Sequence, residues 1–197
     1  MPFENAGPSD RRDAMDLTHK FLIAMPAMAD PNFSGSVVYI CEHTDKGALG
    51  LVINRPTELT LETLFDKIDL KLEIAPWKDA PVYFGGPVQT ERGFVLHVPA
   101  GSYSSSLPVR DDIALTTSKD VLEAVAGGSG PAKLLVTLGY SGWGAGQLES
   151  ELSANAWLTV DAQQSVIFDT PAQARQAAAL RLLGIDPAQL SAQAGHA

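Results

Sequence analysis

The chain has 197 residues, 45% hydrophobic and 19% charged, with a formal charge of −9. This is a globular composition, long enough for one domain with a real core. The acidic balance speaks against direct binding to nucleic acid, whose affinity comes largely from Lys and Arg displacing counterions, and the single cysteine excludes an internal disulfide and a Cys-rich zinc site.

Residues 1–16 are polar, contain Pro and Gly, and are expected to be frayed, leaving 17–197 as a single domain. The only adjacent basic pair, Arg11-Arg12, lies in this segment between Asp10 and Asp13. "LTHKFLIAMPAM" reads as a strand that ends at Pro26. Its apolar run follows an acidic stretch rather than a basic one, so it does not read as a signal peptide. No run reaches the length of a membrane span, and a cytoplasmic location is expected. "ADPNFSG" is turn chemistry. "SVVYICEH" and "ALGLVINRP" read as strands joined through "TDKG" as a hairpin. "LTLETLFDKIDL" spaces Leu61, Leu64, Phe65 and Ile68 as one face of a helix, capped by Thr60. "APVYFGGPV" and "RGFVLHVP" are strands around a Gly-Gly-Pro turn, and "DIALTTS" is another. Ser118 caps a helix through "KDVLEAVAG". "AKLLVTLGY" is apolar on both faces, as in a buried strand. "GQLESELSANAW" reads as a helix and "VIFDT" as a late strand. Thr170 and Pro171 open a helix through "PAQARQAAALRLLG", with Gly184 past its end. Asp186-Pro187 starts a last turn. Hairpins mixed with crossover helices predict an α/β or α+β domain on one large mixed sheet, with helices packed on it.

Three constellations could carry chemistry. In a regular strand, Cys41 and His43 share a face and Glu42 points away. An imidazolium beside the thiol would favour the thiolate, the logic of a Cys–His nucleophile or redox sensor; against this, a free cysteine in a strand is commonly a buried apolar group. "LGYSGWGAGQ" places Ser141 and several glycines between a strand and a helix. The order Gly139-Tyr140-Ser141-Gly142-Trp143 misses the Gly-x-Ser-x-Gly elbow at its last position, and the only later histidine is His196 in the tail. The same 139–146 loop could present Gly142, Trp143 and Gly144 to an anion at a helix start, or be a tight connection whose glycines supply positive φ. Asn54, Arg55, Gly85 and Gly86 end two strands; Arg55 suits a bidentate acceptor or ties down a loop through carbonyls. His97 reads as a structural histidine. His43, Asp45, Cys41 and His97 lack metal-ligand spacing, so no metal and no cofactor are expected.

"AMPAMADPNFSGSVVYICEH", "GALGLVINRP", "VYFGGPV", "RGFVLH", "ALTTSKDVLEAVAGGSGP", "LGYSGWGAGQLESELSANAWL", "FDTP" and "RLLGID" together resemble the YqgE/AlgH family, from about residue 20 onward. The resemblance implies a small cytoplasmic bacterial protein with a compact α/β fold. One branch takes its name from regulation of alginate production, so the resemblance also implies transcriptional regulation. It brings no catalytic residue, cofactor or substrate to transfer. The expected function is therefore binding or regulation through a protein or small-molecule partner, any effect on transcription being indirect. The alternative is an enzyme or redox sensor using Cys41 and His43 or the 139–146 loop.

Overall fold

The structure, a computed structural model, describes residues 16–74 and 77–190. All but Asp16 of the segment expected to fray, and the tail with His196, lie outside the described residues.

Among the described residues ten strands form one sheet: β1 (Lys20–Ala24), β2 (Val37–Thr44), β3 (Gly47–Val52), β4 (Pro56–Thr60), β5 (Pro81–Phe84), β6 (Val88–Val98), β7 (Ser106–Arg110), β8 (Ile113–Thr116), β9 (Lys133–Gly144) and β10 (Trp157–Asp161). The main path runs β10-β1-β2-β3-β9-β6-β8-β7, and β5 joins β4 to β9. The β5–β9 pairing is parallel, Tyr83 opposite Thr137, and the others are antiparallel, so the expected mixed sheet is present. The helices are α1 (Leu61–Lys67), α2 (Asp120–Ala126), α3 (Gln147–Ser153), α4 (Gln164–Phe168) and α5 (Arg175–Leu182).

β9 organises the sheet. One of its edges takes β5 at Thr137–Leu138 and then β3 at Ser141–Gly144; the other takes β6. The chain must therefore pass from one edge of β9 to the other between β5 and β6, and it does so at Gly85-Gly86. Gly85 N donates to Leu138 O at 2.9 Å, and Gly85 O accepts from Val52 N at 2.9 Å. A Cβ on Gly86 would lie 2.2 Å from the Tyr140 carbonyl, and one on Gly139 (φ +79°) would lie 2.3 Å from Gly86 O. Two backbones touch here, which only glycines permit.

Gly139 also switches the faces of β9. Before it, Leu134, Val136 and Leu138 face the cluster built on α1 and α2. After it, Tyr140 faces the cluster of Phe21, Tyr39 and Phe94, while Trp143 faces that of Leu22, Ile40 and Leu148. α4 and α5 cover the first of these through Val166, Ile167, Ala179 and Leu180, and α3 covers the second through Leu148. Burying each such aliphatic or aromatic side chain stabilises the fold by about 1.5–3 kcal/mol.

Local expectations held in part. Thr60 caps α1 by accepting from Thr63 N at 3.2 Å, and the Thr44–Gly47 hairpin is present. The Gly-rich run does not form a strand–turn–helix from Gly139 onward, because β9 continues to Gly144. "VIFDT" is not a strand: β10 already occupies that edge, and Val166 and Ile167 of α4 bury one helical face instead. Trp157, read as the end of a helix, opens β10 after Asn155 (φ +60°) turns the chain. Ser118 does not cap α2; its Oγ donates to Asp120 and accepts from Ser105 N. Thr170 Oγ1 donates to Ser165 O, and the predicted last helix divides into a 3-10 turn, Ala172–Ala174, and α5.

Candidate functional site

Cys41 and His43 do not meet. The β2–β3 register jumps from Ile40↔Gly50 to Glu42↔Leu49, a bulge that reverses the alternation of β2. Cys41 then packs with Tyr39, Phe21 and Phe94. His43 lies on the opposite face, over Ala48 and against Leu17 and α3. Cys41 is 2% exposed, and burial, with Glu42 nearby, pushes its thiol up and away from the thiolate. His43 Nδ1 accepts from Leu17 N at 3.0 Å, so the ring proton sits on Nε2, 3.1 Å from Glu149 Oε2.

The other candidates are tied into the scaffold. Ser141 is fully buried and its Oγ donates to Gly85 O at 3.1 Å. Asn54 accepts from Val37 N and donates to Gly35 O. Arg55 lies over the Phe84 ring and donates to Asn32 O at 2.8 Å and Ser34 O at 2.9 Å, fastening the loop before β2. Trp143 donates to Glu151, which also accepts from Trp157, and stacks on Phe33. Gly144 N is taken by Gln147 Oε1 at 2.9 Å, so this amide is not aimed at an anion. Gly142 and Trp143 border an open depression of about 410 Å3 with Glu42 and Tyr140, which Arg55, Gly85 and Gly86 do not line. The binding candidates are thus not gathered into one pocket. Among the described residues no group of three or more His, Cys, Asp or Glu is placed to hold a metal, and no helix is long and apolar enough to cross a membrane.

A more enclosed concavity lies elsewhere. α1 and α2 flank a groove of about 240 Å3 whose floor is β6 and β9. Half-buried Leu64, Ile68, Leu122 and Leu138 give it apolar walls. Its rim carries exposed Lys119, with Glu91 as the one carboxylate; Arg92 borders it with its main chain, its guanidinium donating to Gln89 and lying over the Phe94 ring on the other face of the sheet. Arg92 stands on a bulge where β6 leaves its register with β9 between Val88 and Gly93. Thr116 lies at the floor, 2.7 Å from Nε2 of the buried His97. His97 Nδ1 donates to Pro99 O at 3.0 Å, burial holds the ring's pKa below its ordinary value, and the Thr116 hydroxyl beside Nε2 donates to Ser106 Oγ at 3.0 Å. The groove offers apolar contact, one cation and hydroxyls, but no exposed nucleophile.

Sequence reasoning missed this groove. Its one local signal is "QTERG", a charged interruption in an otherwise alternating strand.

A family model described as AlgH-like matches residues 21–188. A UPF0301 protein of Bordetella petrii is 67% identical over 184 residues, covering 93% of this chain and 91% of its own length. One from Cupriavidus pinatubonensis is 68% identical over 183 residues, with 93% and 96% coverage. The solution structure of AlgH from Pseudomonas aeruginosa is similar at 49% identity and a TM-score of 0.77, covering 99% of this chain and all of its own. A crystal structure from Corynebacterium diphtheriae shares the fold at 19% identity and a TM-score of 0.66, over 87% of this chain and 91% of its own. With a match that spans every strand but the first residue of β1, and such relatives over nearly the whole length, the chain belongs to the AlgH-like family.

Proposed function

We propose that the protein is a cytoplasmic binding protein of regulatory type, and that the groove between α1 and α2 is where it takes its partner. A small apolar molecule bearing an anionic group is the occupant that fits. The observation that carries this reading is the pairing of apolar walls with Lys119 at the rim, in a chain whose formal charge is −9. Among the described residues, Leu183 is the one large apolar side chain classed as exposed, so the half-open Leu64, Ile68 and Leu122 stand out as a shaped apolar surface. Any effect on transcription would pass through such a partner, since the acidic surface does not favour phosphate backbones. Catalysis through Cys41, His43 or Ser141 has less support, because these groups are buried, on different faces, or engaged with backbone.

The test uses anilinonaphthalene sulfonate, an apolar anion. Titrated into the native protein, it should give saturable fluorescence that Leu122→Glu and Lys119→Glu each weaken at least tenfold, with unchanged thermal melts. Binding that is unaffected by both changes would refute the reading.

A further inference from the structure

The two ends of the sheet are unlike. At one, β7 carries Pro108 and a register break between Pro108 and Arg110, features that keep an edge from pairing with another chain. At the other, β10 (WLTVD) has no proline, no bulge and no basic residue, and its Asp161 is already paired with Lys20 of β1. β4, a third edge paired only with β5, likewise carries a proline, Pro56, and a register break between Pro56 and Thr60, so the β10 edge is the one left able to pair.

The hydrogen-bond register says which groups it would offer. Ala162 N donates to His19 O, and Met25 N to Ala156 O. With Lys20 opposite Asp161 and Ala24 opposite Trp157, the alternation sends the backbone groups of Leu158 and Val160 inward to β1. The N–H and C=O groups of Trp157, Thr159 and Asp161 therefore point outward, and among the described residues none of them has a backbone partner.

We infer that β10 is the surface through which two copies of this chain associate, strand against antiparallel strand about a two-fold axis at Thr159. A second copy is favoured over an unrelated peptide because the edge complements itself. In this register Thr159 meets Thr159, and Trp157 meets Asp161 in both directions, so every outward N–H finds a carbonyl. Leu158 of one copy faces Val160 of the other. Both are half-buried members of the cluster under α5 and would extend that cluster across the junction. No like charges are brought opposite each other, since the two Asp161 carboxylates lie at opposite ends of the pairing. A five-residue edge is short, at the low end of specific interfaces, so the dimer is concentration-dependent rather than obligate.

Sedimentation velocity from micromolar to millimolar protein, at moderate salt to screen the net charge, should show the mass approaching twice that of the monomer. Amide exchange on the same samples is the sharper measure. The N–H groups of Thr159 and Asp161 should exchange freely in dilute protein and become protected in concentrated protein; those of Leu158 and Val160 should be protected in both. Thr159→Pro removes an outward N–H without touching the β1 ladder, and should lower association at least tenfold. If that variant does not fold, exchange in the unmodified protein still decides. A monomer at every concentration, or a dimer in which Thr159 N–H stays unprotected, would overturn the inference.

Discussion

Replacing Gly139 by Ala tests the crossing at β9. Gly139 has φ +79°, and a Cβ there would sit 2.3 Å from Gly86 O, 3.2 Å from Val88 O and 3.3 Å from Thr90 Cα. All three are main-chain atoms, so no side chain can swing aside. The left-handed conformation costs an alanine about 1–2 kcal/mol, and forcing a carbon into a filled site costs about 1–3 kcal/mol more. The expected loss is about 2–5 kcal/mol, a large share of a typical stability of about 5–15 kcal/mol. Urea unfolding followed by fluorescence of Trp143 and Trp157, both buried, would measure it. Gly93→Ala is the control, because a Cβ there meets nothing within 4 Å; it should change stability by less than about 0.5 kcal/mol. Gly86→Ala should cost a similar amount to Gly139→Ala, and the double variant less than the sum, since both damage one contact. A Gly139→Ala protein as stable as the Gly93→Ala control would refute the crossing.

The remaining expectations concern titratable groups. Cys41, buried and with its thiol pushed up, should be alkylated by iodoacetamide only when the protein opens, at least about 10³-fold more slowly than in urea; rapid native labelling with an apparent pKa below about 8.5 would contradict its placement. His19 and His97 both titrate below their ordinary range, chiefly because burial penalises the cation, with Asp111 partly opposing this at His19. In the unfolded chain each protonates near about 6.5. The unfolded state therefore binds more protons as pH falls below that value, and stability should be full above about pH 6.5 and decline as pH falls below it. The charged groups around His19 are Asp111, Arg110, Asp161 and Lys20, and Tyr39 OH lies 2.8 Å from its Nδ1. Urea midpoints across that window check the sign, and His97→Gln should flatten the slope; a midpoint that rises on acidification would be the wrong sign.

Where a structural decision is local, the residues announce it. Thr60 caps its helix, "TDKG" turns its hairpin, and the apolar run of β9 is buried on both faces. Arg55 was legible as a loop fastener, because an arginine at a strand end has carbonyls within reach. What failed depended on a second strand. Nothing in "VVYICEH" signals the bulge that parts Cys41 from His43, because an extra residue shows only against its partner, β3. The glycines after Leu138 looked like the end of a strand because glycine usually weakens one. Here they admit a passing backbone, and the strand runs on. "VIFDT" has strand composition, but the edge it would have joined was taken by the segment just before it. The groove was illegible for a related reason: its walls come from α1, α2, β6 and β9, far apart in the chain, with no spacing to connect them.

The position of β9 bears on how the chain is made. Among the described strands it is the ninth in chain order, yet it separates β3 from β6 and takes β5 along its side. Until it emerges, the strands already synthesised form three fragments, β1-β2-β3, β4-β5 and β6-β8-β7, with unpaired margins facing the gap. Pairings of such long sequence separation form slowly, and exposed margins of this kind invite aggregation. A chain truncated before Lys133 should thus need chaperone protection, and one extended past Gly144 should shed it abruptly, as a single late segment joins all three fragments at once.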